Sequence, residues 1–400
     1  MSDVRVIALI GAGHMVSHFL QLALPPLFPL LRSEFDVSWV ALGIVSSIFY
    51  GVSGFAQTIA GFFVDHFGAR RVLFGGMALF AVATVAMGLA PSYWVLLPMA
   101  ALAGLGNSVF HPANYSMLNA TVGPRRIARA YSVHAISGNF GWVLAPAFVG
   151  TITHVAGWRV ALAAAGTVGL VATAVLALST RGLGLPARGL PRALAGGVRA
   201  DVRVLLTAPI LMAFAYFALL TASTTGIQTF VVPALGAIYH APLALATGVL
   251  TIYLFGNASG VLTGGFLADR ATRHDLVAAG GVLCAASFMV GLATGAVPFP
   301  LIGVVMALTG FSMGITAPSR DMLVRAATPR GSSGKVFGFV YSGLDLGSLI
   351  APPLYGRLLD LGEPRAMFVA IAAVMLVMIV TVIQVRRRVV PSVVPAAGGR

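Results

Sequence analysis

The sequence predicts an all-α membrane protein: twelve transmembrane helices arranged as two pseudo-symmetric six-helix bundles. Three observations lead there. Hydrophobic residues fill 58% of the 400 positions and charged residues only 9%, with a mean hydropathy of +0.94, more apolar surface than a soluble core absorbs. The apolar residues fall into runs of bilayer-spanning length. Two motifs recur in the second half of the chain at nearly one offset.

Runs broken by Gly, Pro and charge place helices near 5–31, 39–64, 72–90, 93–120, 127–152 and 157–179, then 207–236, 243–268, 274–296, 299–325, 333–359 and 364–385. The first run lacks a small-residue cleavage pattern and is too long for a signal-peptide core, so it is expected to remain as the first helix. Residues 181–206 form the only long polar interruption, with five Arg between Arg181 and Arg203. They read as a basic cytoplasmic linker between an N-terminal bundle (1–180) and a C-terminal bundle (207–386), with 387–400 as a cytoplasmic tail.

The formal charge of +14 raises the question of nucleic acid, and its placement answers against it. Arg70 and Arg71, Arg125, Arg126 and Arg129, the linker arginines, Arg270 and Arg273, Arg325, Arg330 and Lys335, and Arg386 to Arg388 all lie in alternate connections. The other set holds only Arg32, Arg159, Arg357 and Arg365. This positive-inside asymmetry puts both termini in the cytoplasm of a bacterial inner-membrane protein. The single cysteine, Cys284, lies within an apolar run and reads as a small buried hydrophobe.

The stretch Gly61-Phe62-Phe63-Val64-Asp65-His66-Phe67-Gly68-Ala69-Arg70-Arg71 after the second helix is matched by Gly265-Phe266-Leu267-Ala268-Asp269-Arg270-Ala271-Thr272-Arg273 after the eighth. Ser137-Gly138-Asn139-Phe140-Gly141, running on to Pro146, is matched by Gly343-Leu344-Asp345-Leu346-Gly347, running on to Pro352. The two offsets are 204 and 206 residues, and internal repeats of this kind commonly enclose a transporter's binding site. The loop motif resembles that of the major facilitator superfamily, which implies alternating access between two bundles. Its residues Gly61, Asp65, Gly68, Arg70, Arg71, Gly265, Asp269, Arg270 and Arg273 are expected to act as a conformational latch. Gly61 would let two helices approach, and Asp65 would cap a helix and pair with nearby Arg.

Gly104-Leu105-Gly106-Asn107-Ser108-Val109-Phe110-His111-Pro112, Ser137 to Gly141 and the opening His14-x-x-x-His18-x-x-Gln21 look similar to the fosmidomycin-resistance group of exporters. That group typically has Asp where this chain has His18 and Glu where it has Ala113. Neither fosmidomycin as cargo nor the group's proton coupling is therefore carried over.

Ionisable residues inside spans are costly and mark function by default. Among carboxylates outside loops and the latch, only Asp321 and Asp345 remain. With His18 and His111 they are the candidates for carrying a coupling proton. Asp321 also has structural partners within reach in Arg325, Arg270 and Arg273, whereas Asp345 stands at the repeat position of Asn139. The candidates for contacting substrate are His14, His18, Gln21, Asn107, His111, Asn114, Tyr115, His134, Asn139, Gln228, Tyr253, Asn257, Arg320 and Tyr341, each of which alternatively hydrogen-bonds a neighbouring helix. In a superfamily member the first, fourth and fifth helices line the cavity, which implies that the four histidines converge. Arg320 selects an anionic group or pairs with Asp321 or Asp345.

The expected activity is secondary transport: proton-coupled export of a small organic molecule, an anion being one fitting class, or a drug. Proton-coupled uptake of an organic acid is the alternative. So is export of a metal ion or chelate by the histidines. No cofactor or resident metal is assigned, and no enzyme motif is present. Partners are substrate, protons and the lipid bilayer, with no nucleic acid, and the protein is expected to be a monomer.

Overall fold

The computed structural model describes residues 3–123, 126–181, 205–328 and 333–389. Within these, only the backbone is described at Thr58, Asp65, Ala128, 333–335, Phe337 and 385–389. The linker arginines from Arg188 to Arg203, Arg125, Arg330 and most of the tail lie outside the described residues. The helices are α1 (Asp3–Gln21), α2 (Phe28–Phe35), α3 (Trp39–Phe67), α4 (Ala69–Gly88), α5 (Tyr93–Asn107), α6 (Phe110–Thr121), α7 (Ile127–Ser179), α8 (Ala208–Tyr239), α9 (Leu243–Arg270), α10 (His274–Ala293), α11 (Phe299–Gly314), α12 (Thr316–Ala327), α13 (Ser333–Asp360) and α14 (Pro364–Val389). No strand occurs among the described residues.

The fourteen helices of the described residues are consistent with twelve crossings, three spans being broken and one helix doubled. The first span ends α1 at Gln21 and resumes through the 3-10 turn Pro25–Leu27 into α2. The sequence predicted one helix there; Pro25 and Pro26 supply no N–H and crowd the preceding carbonyls, so the helix cannot run through. The fourth span breaks at Ser108 and Val109 between α5 and α6, and the tenth at Ile315 between α11 and α12. These breaks are repeat-related.

Helix α7, at 53 residues, would be about 80 Å long if straight, against a hydrocarbon core of about 30 Å. Gly157 divides it at φ 82°, ψ 164°, a backbone that L side chains rarely adopt. Among the described residues, ten stretches are long and apolar enough to cross a membrane. Divided at Gly157, α7 supplies two segments of membrane length, and the 28-residue α13 is long enough for a further one, in keeping with twelve.

Within the first half, α1 packs on α7, α4 on α5 and α7, and α3 on α5. Within the second, α13 and α14 pack on α8, α9 on α11, and α10 on α14. The halves meet where α3 lies against α13 and α7 against α9.

The α3–α13 contact runs along only part of the helices. A Cβ on Gly43 would fall 2.7 Å from the carbonyl carbon of Pro352, one on Gly356 2.6 Å from the Trp39 carbonyl oxygen, and one on Gly54 2.7 Å from the Asp345 Cβ. Ser47 donates to the Leu349 carbonyl at 2.6 Å. Beyond Gly54, toward the end that carries the termini, Phe55, Phe62, Phe63 and Phe67 are exposed, and a Cβ built on Gly61 would meet nothing from another helix within 4 Å. The halves are therefore closed together at the far end and parted at the terminal end.

Candidate functional site

The helix breaks and small residues of the first half bring the four predicted histidines together. His14 and His18 share one face of α1, one turn apart, and Gly138 of α7 leaves room for both rings: a Cβ there would stand 2.7 Å from the Cε1 of each. His14 stacks on His134 with centroids 3.7 Å apart and planes 10° from parallel. His18 lies 4.3 Å from His14 and stacks on Trp142 at 4.2 Å. His111, at the start of α6, has its centroid 5.5 Å from His14 and 6.1 Å from His134.

Hydrogen bonds fix much of this wall. The His14 Nδ1 is 2.7 Å from the His134 carbonyl oxygen, which makes it the protonated nitrogen. The Asn114 amide nitrogen lies 3.1 Å from His134 Nε2. His14, His134 and Asn114 are buried, whereas His111 is exposed. His14 Nε2 and Asn114 Oδ1 are left buried without a hydrogen-bond partner.

Tyr115 extends the wall toward the parted end, 5.1 Å from His134 and 5.2 Å from Tyr131, and is 40% exposed. It lies within electrostatic reach of Asp321 and Tyr341 in the other half. There Arg320 donates from Nε to the Asp321 carboxylate at 3.0 Å, and the Tyr341 hydroxyl donates to the same oxygen at 3.3 Å. The Arg320 guanidinium stands 4.6 Å over the Phe217 ring. Imidazoles on one wall thus face an Arg–Asp–Tyr cluster on the other. The sequence offered Asp321 partners in Arg325, Arg270 or Arg273, and offered Arg320 a pairing with Asp321 or Asp345; the structure forms the Arg320–Asp321 pair.

Asp345 sits half-buried at the foot of the opening, its carboxylate against Gly54 of the other half. Its repeat partner Asn139 is half-buried on α7. Several neutral candidates instead join helices. Asn107 accepts from Ser17 at 3.0 Å and donates to Ser53 at 2.9 Å, tying α1, α5 and α3 together. Gln21 accepts from the Trp142 indole at 2.8 Å, and Asn257 donates to the Gly310 carbonyl at 3.4 Å. Tyr253 is fully buried in α9 and Gln228 is buried in α8.

The latch residues lie at the parted end. Gly68, at φ 86°, joins α3 to α4, and Arg70 donates to Thr180 Oγ1 at 3.0 Å and to the Ala177 carbonyl, closing the end of α7 within its own half. Nothing lies within 4 Å of a Cβ built on Gly61 or Gly265, so the close approach expected at Gly61 is not made in this conformation. Asp269 and Arg270 are exposed, and Arg273 forms a two-point contact with Asp275 at 3.0 and 3.1 Å. Asp275, which the sequence did not single out, is buried in the first turn of α10.

The sequence profile of the Major Facilitator Superfamily matches residues 10–229 and again 212–399, one match for each half of the repeat. The chain belongs to the Major Facilitator Superfamily. It is thus a multi-pass membrane protein of a transporter family. The chain is 27% identical over 356 residues to the fosmidomycin resistance protein of Escherichia coli (strain K12), covering 86% of this chain and 85% of that one. It is also 27% identical over 368 residues to the multidrug efflux pump Tap of Mycobacterium tuberculosis (strain ATCC 25618 / H37Rv), again over 86% and 85% of the two chains. In fold it is similar to a bacterial homologue of the human lysosomal transporter Spinster in an inward-facing and occupied conformation. That superposition has a TM-score of 0.76 at 14% identity and covers 96% of each chain.

Proposed function

We propose that this transporter exports a small organic molecule in exchange for protons across a bacterial inner membrane, with both termini in the cytoplasm. On that topology the parted end faces the cytoplasm and the structure is the loading state of an exporter. The observation that carries the coupling is the position of Asp345. It is a carboxylate half-buried in the middle of α13 that lies against Gly54 of the other half, with Tyr50 of that half within electrostatic reach. A charge held there is costly to enclose between two apolar bundles, and protonation removes that cost. Closure would then require either the proton on Asp345 or bound cargo in its place, and that alternative is the condition for exchange.

The histidine wall and the Arg320–Asp321–Tyr341 cluster supply hydrogen-bonding groups from both halves to one cargo, so that cargo bridges the moving parts. The drug-efflux names of the relatives support the outward direction. Proteoliposomes with imposed pH gradients test the reading. Accumulation only into inside-acid vesicles, abolished by Asp345→Asn, is the expected result. Accumulation only into inside-alkaline vesicles would establish uptake instead.

A further inference from the structure

We infer that His14, His111 and His134 form a binding site for a divalent first-row transition-metal ion, reached from the opening between the halves. Their ligand atoms all lie within 4.8 Å of one another, and a closing shift of about 1 Å brings them to the roughly 3.4 Å that nitrogens keep around one tetrahedral ion. His14 carries the decisive geometry. Its Nδ1–H is committed to the His134 carbonyl at 2.7 Å, so its Nε2 holds the lone pair, and that atom is buried with nothing to accept from. A metal-ligating histidine has this arrangement: one nitrogen oriented by a carbonyl, the other presented to the ion. The Asn114 Oδ1, buried beside His134, is likewise without a partner and is a further oxygen donor at the same place.

Imidazole nitrogen suits zinc, nickel, cobalt and copper rather than calcium or magnesium. His14 and His134 stack, and the His134 Nε2 is engaged by the Asn114 amide nitrogen. Ligation by all three requires one ring to turn, at the loss of the Asn114–His134 hydrogen bond. His111 is exposed to the opening and provides the entry path. With three neutral imidazoles and no carboxylate among them, a bound dication retains its charge, and its open positions suit a carboxylate or phosphonate oxygen. The site deepens the transport reading without depending on it, since binding requires neither a gradient nor a cargo.

Tag-free, chelator-stripped full-length protein in detergent, titrated with Co²⁺ alone, tests the inference by the visible absorption of low-coordinate cobalt. The expected result is one equivalent bound, displaced by Zn²⁺, and weakened at least about tenfold by His14→Ala and by His111→Ala, both eluting normally in size exclusion. A variant with His66, His154, His240 and His274 all changed to Ala is expected to bind as the parent does. Absence of a saturable cobalt spectrum, or a spectrum that follows those four histidines, would overturn the inference.

Discussion

The carboxylate of Asp360, at the last turn of α13, accepts the backbone N–H of Trp39 at 2.8 Å and that of Val40 at 3.0 Å. It thereby caps the N-terminus of α3 from the other half of the molecule, although 321 residues separate Asp360 from Trp39. A helix start carries orphan N–H groups and partial positive charge, so an anion there is favoured twice over. This cap, with Ser47 on Leu349 and the glycine contacts below it, is what holds the far end shut.

Asp360→Ala removes both charge-assisted bonds. At roughly 2 kcal/mol of net loss, the balance between open and closed far ends shifts about thirtyfold. Spin labels placed at the far ends of α3 and α13 are expected to show a longer-distance population in the variant. An unchanged distance distribution would show that the cap does not govern opening.

Glycines at the two kinds of contact are predicted to behave differently. Gly141 packs α7 on α1 within one half, and a Cβ there would meet the Met15 carbonyl and stand 2.9 Å from the Phe19 nitrogen. Gly141→Ala is expected to destabilise the fold by about 1–3 kcal/mol, read as a lower Tm. Gly43→Ala strikes Pro352 across the halves, which can part, so it should alter the distances above with little change in Tm.

Asn107→Ala breaks the bridge from Ser17 to Ser53. Interhelical hydrogen bonds in membranes contribute about 0.6 kcal/mol on average, and two are lost here. Stability is expected to fall by about 1 kcal/mol while the KM for cargo stays within about twofold of the parent. A large rise in KM at unchanged stability would return Asn107 to the substrate-contacting set.

Arg159 donates to Glu34 at 2.6 Å and to the Ala90 carbonyl at 3.2 Å, and its guanidinium stands 4.3 Å over the Trp158 ring. It joins α2 to the turn at Gly157. Both charged groups are about 40% exposed, so Arg159→Ala should cost no more than about 1 kcal/mol. The difference in Tm between parent and variant is expected to shrink at high salt.

The covalent order of residues determined by itself the membrane class, the approximate bounds of twelve crossings and the repeat, because span length, hydrophobicity and charge are local properties that the bilayer reads directly. The convergence of His14, His18, His111 and His134 was implied by the family resemblance, since the first, fourth and fifth helices line the superfamily's cavity. Tertiary structure alone decided what each polar group does there. Asn107 and Gln21 turned out to bind neighbouring helices, Asp321 to pair with Arg320, and Asp360, a loop-end residue in the sequence, to cap a helix of the other half. The asymmetry between a shut far end and a parted terminal end was equally illegible. Hydrogen-bond partners and close backbone approaches depend on which helix faces lie against each other, and hydropathy does not encode that when nearly every face is apolar.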